Sequence, residues 1–383
     1  MRKEAHIIGG GIGGLAAAGA LAQNGWKVVV HERSPELREV GAGIFLKENG
    51  IRVLERLGCM PEILAHGTRL AKSELQDATG RTLLLRDIAN ERVYTVLRAT
   101  LQQVLADAAK RLGVDVETAS EVSDVSSDGR LSKGGREYKV DLIVGADGLG
   151  SITRRRLGLE KSATILPNGS TRILVPRRAG DLTDRSVEQW RGHKRVMVVP
   201  VGNAYTYICA SSNESDPRGV ALPFDIEYWS QCFPDHAALF ARVDPMKAIH
   251  HPHGLVHVTG WFRGKVAILG DAVHGQPPNL GQGAGLAISN AGSLADYLEK
   301  EGNVELALKD WESHERLLTE QVQNWSEKWD HFVHRWPLGA ERLRSLAIWT
   351  IANTPITRRR WGRLYRGTEA ASEQKHPVNM KAA

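Results

Sequence analysis

The chain has 383 residues, 42% hydrophobic and 25% charged, a soluble globular balance long enough for two domains or one domain with a large insertion. Its net charge of +6 comes from scattered basic residues, dense only at 153–158 and 357–366 and without a nucleic-acid motif, so an anionic small substrate or a phosphate-bearing cofactor is expected instead of nucleic acid. No apolar run approaches the roughly 18 residues of a membrane span, the start lacks a signal-peptide pattern, and dispersed Cys59, Cys209 and Cys232 fit neither a metal site nor a disulfide framework, so a reducing cytoplasm is the expected setting.

Residues 5–9, "AHIIG", read as a short buried strand, followed by glycines and an Ala-rich helix that Asn24-Gly25 ends. Residues 27–32, "KVVVHE", read as a second strand, which completes the parallel strand–helix–strand crossover of a dinucleotide fold. Helices are expected near 49–57 and at 98–112, and strands at 114–118, near 138–145 and at 266–270. The region 161–262 is β-rich, with "TRILVPR", "RVMVVPVG" and "AYTYICAS", and then a short helix containing "DIEYWSQCF". It reads as an inserted antiparallel sheet that covers a ligand. From 283 to 365 the pattern is helical, with Trp325, Trp329 and Trp336 at helical spacing and suited to packing. The expected fold class is therefore α/β: a Rossmann-like domain from 1–160 and 263–365, an antiparallel β-sheet substrate domain at 161–262, a helical C-terminal part, and a flexible tail at 366–383.

Three segments carry the chemistry. In Gly9-x-Gly11-x-x-Gly14 the first glycine permits the tight turn, the second lets a pyrophosphate approach the backbone, and the third lets helix and strand pack closely. Glu32 ends the second strand, where a carboxylate can accept hydrogen bonds from ribose hydroxyls, and Arg33 beside it is grouped with it as cofactor-binding. The second segment, "DLIVGADGLGSITRR" (141–155), is a strand ending in Asp147-Gly148, then Ser151 and Arg154; the third, "KVAILGDAVHGQPPNLGQGAG" (265–285), is a strand ending in Gly270-Asp271. A long, extended FAD needs such a second strand-end aspartate, whereas a nicotinamide dinucleotide does not. Gly281, Gln282, Gly283 and Ala284 open a helix whose N–H groups could meet the negative charge of a reduced flavin, beside a wall formed by Pro278. His274 is expected to make a structural hydrogen bond.

The ordered set GxGxxG, GADG and GDA resembles the single-component FAD-dependent aromatic monooxygenases, the p-hydroxybenzoate hydroxylase-like family, over nearly the whole chain. The resemblance implies FAD as cofactor, NADH or NADPH and O₂ as co-substrates, and a flavin C4a-hydroperoxide as oxygen donor. It places Asp271 at the ribityl chain, Asp147 in the turn that shapes the FAD and NAD(P)H sites, Arg98 at the flavin, and Arg38, Gly41 and Gly43 in a segment lying along the cofactor. "GAGIFLKENGIRVLE", "DLIVGADGLGS", "RILVPR" and "DPRGVALPFDIEYWSQCFP" resemble more closely the family's oxygenases that hydroxylate and open a pyridine-carboxylate ring. By that resemblance Arg195 pairs with a substrate carboxylate, Tyr207 hydrogen-bonds the ring oxygen or nitrogen, and Arg172 is a further candidate for the same pocket. Glu74 stands where those relatives have a tyrosine and could receive an N–H or hydroxyl. The implied substrate is a small aromatic or N-heteroaromatic acid, with no metal, no membrane partner, a monomer or homodimer, and no assigned catalytic base. A halogenase would carry a Trp-x-Trp-x-Ile-Pro stretch, which the sequence lacks. An FAD-dependent dehydrogenase or oxidase, or a non-catalytic carrier on the same fold, is the alternative.

Overall fold

The computed structural model describes residues 2–38 and 41–354. The basic run at 357–366 and the expected tail at 366–383 lie outside the described residues. The first sheet has six strands in the order Phe262–Arg263, Val266–Ile268, Leu142–Gly145, Glu4–Ile8, Lys27–His31 and Asp115–Glu117. All its pairings are parallel except that of the short edge strand Phe262–Arg263. Parallel strands are covered on both faces, which is why Glu4–Ile8 and Leu142–Gly145 read as near-continuous apolar runs. Helix Ile12–Gln23 is buried almost all round, and Ala16, Ala17, Ala18 and Ala20 are wholly inaccessible. Small side chains let it pack closely against helices Arg98–Arg111 and Gly283–Lys300.

The second sheet has seven strands: Ile249–Val258, Glu160–Pro176, Tyr205–Asn213, Lys194–Val201, Arg185–Arg191, Lys72–Gln76 and Thr82–Asp87. The pairing of Arg185–Arg191 with Lys72–Gln76 is parallel and the rest are antiparallel. Two of these strands come from 72–87, a stretch the sequence reading assigns to the first domain. Their pairing is non-local, so no local pattern announces it.

Strand alternation gives this sheet two unlike faces. Ile173, Val175, Val196, Val198, Ile208 and Ala210 pack into an apolar cluster with Phe224, Trp229 and Phe240. Their neighbours in sequence, including Arg172, Arg195, Met197, Tyr207 and Cys209, face a cavity instead. Helix Val304–His334, 31 residues long, carries Trp329 to the edge of that cavity, where it meets Trp190 edge-on at 5.3 Å. No helix among the described residues is long and apolar enough to cross a membrane.

Candidate active site

A cavity of about 520 Å³ runs from the glycine turn of the first sheet to the polar face of the second. At one end Gly11, Ile12 and Gly13 open helix Ile12–Gln23 with no side-chain cap, so the first N–H groups and the positive end of the helix dipole are available to an anion. The turn tolerates nothing larger than glycine at position 14, where an added Cβ would lie 2.0 Å from the Gly9 carbonyl oxygen. Glu32 braces this turn: its carboxylate accepts from the Gly10 N–H at 2.8 Å and the Ser34 N–H at 2.9 Å. Arg33 and Arg38 are exposed and stand outside the cavity wall.

The second and third strand ends converge on the same space. Asp147 does not point into the cavity; it accepts from Ser151 Oγ at 2.6 Å and from the Thr153 N–H and Oγ1, both at 3.0 Å, and so fixes the turn whose Ala146 and Gly148 form the wall. Arg154, fully buried, donates to the carbonyls of Leu149 and Ala272 at 2.7 and 3.0 Å and pairs with Glu160 at 2.9 Å. It thereby ties the second motif to the third. Asp271 is exposed on the cavity wall at the first turn of a short helix. The His274 ring is 1% exposed, both ring nitrogens lack partners among the described residues, and burial pushes its pKa down. Shape, then, holds His274 in place.

Pro278 opens a single 3-10 turn and Gly281 closes it at φ +57°, where an added Cβ would press on the Phe45 ring at 3.3 Å. Gln282, Gly283 and Ala284 then start the 18-residue helix Gly283–Lys300, again uncapped by a side chain, with open space over Gly283. Gly43 faces Tyr207, and Gly41 lies beneath the Arg98 and Arg172 side chains.

On the second sheet Arg195 is 5% exposed, and it donates from Nε to Ser211 Oγ at 3.2 Å and from Nη1 to Glu188 at 3.3 Å. Glu188 also accepts from Trp190 Nε1 at 2.6 Å. Arg172 lines the cavity and makes no ion pair with a described residue. Burial raises the Tyr207 phenol well above its ordinary range, so it is a hydrogen-bonding group and not an acid. Glu74 borders the cavity, but its Oε1 accepts from Thr82 Oγ1 at 2.6 Å and Gln76 Nε2 at 2.9 Å, and its Oε2 lies 3.5 Å from Arg185. Burial opposes ionisation there, but the hydrogen bonds from Gln76 and Thr82 and the Arg185 charge hold its pKa below the ordinary value. Alternation turns Ser73 and Leu75, not Glu74, to the side of Glu188. The carboxylate on the Arg195 side of the strand is therefore Glu188.

Behind this face lies a polar chain. Asp330 Oδ1 accepts from Asn168 Nδ2 and Asn279 Nδ2, both at 3.0 Å, and faces His253 Nδ1 at 3.4 Å. Asn168 Nδ2 also meets His253 Nδ1 at 2.9 Å; an amide nitrogen only donates, so Nδ1 accepts and Nε2 carries the proton. His253 Nε2 then donates to Ser170 Oγ at 2.7 Å, which meets Ser211 Oγ at 2.7 Å, and Ser211 holds Arg195. Glu188, His251, His253 and Asp330 escape a reading of the sequence. "HHPH" (250–253) is conspicuous, but only the sheet register shows that His251 sits opposite Ser170, on the polar side.

The residues present fit a flavin dinucleotide: two uncapped helix N-termini and a glycine cradle that a Cβ would fill bound one elongated space. A protein family described as FAD binding domain matches residues 2–324. The chain belongs to this FAD-binding family. Its relatives are monooxygenases, and it is a flavoprotein of the aromatic hydroxylase type. The chain is 35% identical to a putative 2-heptyl-3-hydroxy-4(1H)-quinolone synthase of Rhodococcus erythropolis, over 93% of this chain and 94% of that one. It is 27% identical to 3-hydroxybenzoate 6-hydroxylase 1 of Aquipseudomonas alcaligenes, over 90% and 93%. Among solved structures, the tetrameric form of 2-methyl-3-hydroxypyridine-5-carboxylic acid oxygenase superposes with a TM-score of 0.81 at 34% identity, covering 86% of this chain and 91% of that one.

Proposed function

We propose that this FAD-dependent monooxygenase uses NADH or NADPH and O₂ to hydroxylate a hydroxylated N-heteroaromatic ring that carries an acidic group. The observation that carries the reading is the contrast within the cavity: Arg172, without an ion pair among the described residues, stands on the substrate sheet opposite the glycine-rich flavin wall. A half-buried guanidinium of this kind suits a carboxylate or an ionised ring oxygen. Two relatives of about one-third identity are named for 3-hydroxylated N-heteroaromatic compounds, which supports the ring type. The reading also includes ring opening after hydroxylation, as in the pyridine oxygenases.

Bound FAD supplies the electrophilic oxygen once it has taken electrons from the nicotinamide and met O₂. The chain's own residues do the rest. The helix starting at Gly283 and the turn at Gly281 would hold the flavin edge, Asp271 would hold its polyol chain, and the Gly9–Gly14 turn with Glu32 would hold the adenosine diphosphate portion. The apolar cluster of Leu70, Ile88, Val93 and Met197 lines the cavity and excludes water from the reacting ring. This wall favours a second reading as well, a ring bearing an alkyl substituent in place of the acid.

Oxygen uptake and nicotinamide oxidation, with mass spectrometry of products, decide between them. Hydroxypyridine carboxylates, hydroxybenzoates and 2-alkyl-hydroxyquinolones are the panel. A hydroxylated heteroaromatic product supports the proposal, and its mass separates simple hydroxylation from ring opening. Nicotinamide oxidation that yields only hydrogen peroxide with every heteroaromatic would refute it.

A further inference from the structure

We infer that His251 accepts the proton of the ring hydroxyl, while Arg172 holds the oxygen anion that remains. The inference rests on the heteroaromatic substrate proposed above and adds a catalytic residue to it.

The substrate side of the cavity offers few proton acceptors. Glu188 is engaged by Trp190 Nε1 at 2.6 Å and Arg195 at 3.3 Å. Glu74 is engaged by Thr82, Gln76 and Arg185. His253 uses both ring nitrogens within the Asn168–Asp330–Ser170 network. Tyr207 keeps its proton because burial raises its pKa. His251 differs from all of these. It lines the cavity, and neither ring nitrogen has a hydrogen-bond partner among the described residues; Nδ1 is closed off from the cavity, which leaves Nε2 as the nitrogen that can meet a bound molecule. Its strand register sets it opposite Ser170, two residues along the polar face from Arg172.

The charges around it are Arg172 from the neighbouring strand, His250 from its own strand and Arg98 from the start of helix Arg98–Arg111. Burial first, and then these charges, keep the free imidazole neutral and ready to accept. The same positive field that disfavours an imidazolium favours a ring oxyanion, so the two ions formed together cost less than either alone. In the step, the substrate O–H bond breaks, an N–H bond forms at His251 Nε2, and the electron pair stays on oxygen. The ionised ring is the richer in electrons and the better partner for an electrophilic oxygen. The proton leaves His251 for water when product departs.

The test uses the FAD-loaded protein without nicotinamide, so that no turnover occurs. 2-Methyl-3-hydroxypyridine-5-carboxylate and 3-hydroxyquinoline are titrated in, and difference absorbance reports whether the bound hydroxyl is ionised. The wild type should bind the anion at a pH about one unit below the free hydroxyl's pKa, a tenfold change in the ionisation equilibrium. His251→Gln, checked for flavin content, should bind the neutral form at that pH. His251→Ala should regain the anion spectrum when imidazole is added. The same ionised fraction in wild type and His251→Gln overturns the assignment, as does a neutral ligand in the wild type. Failure of both ligands to bind the wild type overturns the heteroaromatic reading itself, and the inference falls with it.

Discussion

Arg172 and Arg195 face one cavity but are not equivalent cations. Arg195 is tied to Glu188 and Ser211, so its charge is largely matched inside the protein. Arg172 has no such counter-ion among the described residues. Arg172→Met should therefore raise the dissociation constant of an acidic substrate by about 10–100-fold, the worth of one charge-assisted hydrogen-bonded contact. Its effect on the ring O-methyl ether of the same compound, which has no ring hydroxyl to ionise, should be much smaller; titration of both compounds measures the difference. Arg195→Ala should also weaken acidic substrates more than flavin, but it leaves Glu188 half-buried without its partner, so a fall in melting temperature should accompany it. Loss of acid binding in Arg195→Ala with none in Arg172→Met would reverse the two roles. The family resemblance proposes Arg195 and Tyr207, because matching residues at matching intervals carry it, and adds Arg172 as a further candidate. It also proposes Glu74 in place of Glu188. A carboxylate's usefulness depends on which side of a strand it occupies and what already bonds it, and neither is visible without the register.

At the scale of elements, the wall segment 275–279 and the second sheet are joined through side chains of the long helix Val304–His334, Gln323 and Asp330 among them. Asp330 is 1% exposed and accepts from Asn279 in the wall turn and from Asn168 in the substrate sheet. Burial works against its ionisation, but hydrogen bonds, that from Asn279 among them, hold its pKa below the ordinary carboxylate value. Asp330→Asn keeps the size and removes the charge. It should cost about 2–4 kcal/mol, as expected for breaking a buried hydrogen-bonded ionic network. Thermal unfolding measures that loss. Weaker FAD retention in the same variant would show that the wall turn has loosened too, and unchanged values of both would remove Asp330 from this role. The glycine motifs and the parallel crossover are legible from residues 4–31 because local spacing encodes them. The bridging helix is legible only as a helix. The Asp330 contact depends on elements about 50 and 160 residues away, Asn279 and Asn168, and no local pattern records such a meeting.

Across the whole molecule, histidine burial sets the response to acid. His6, His31, His236, His251, His253, His274 and His334 all have their pKa lowered, with burial the first cause in each. His31 is pushed down to about 4; it is buried between strands of the first sheet, with Nε2 2.8 Å from His6 and Nδ1 2.9 Å from Ser120. An unfolded chain titrates its histidines near 6.5. Between that value and about 4 the unfolded chain binds protons that the folded one refuses, so stability falls as the pH falls. The stabilisation is fully present above pH 6.5 and is lost on the way down, by about 1 kcal/mol per pH unit for each histidine fully in this state. Carboxylates held low by partners, such as Asp181 at about 2, add their own loss only further down, below the ordinary carboxylate range. The melting temperature should consequently drop steeply from pH 6.5 to 5, before carboxylates contribute. Calorimetry across that interval, with proton uptake on unfolding measured in buffers of different ionisation enthalpy, checks both the slope and its origin. A melting temperature that stays level from pH 6.5 to 5 would mean that the buried histidines are already charged in the folded protein, and the neutral His31–His6 pair at the centre of the nucleotide-binding sheet would then have to be abandoned.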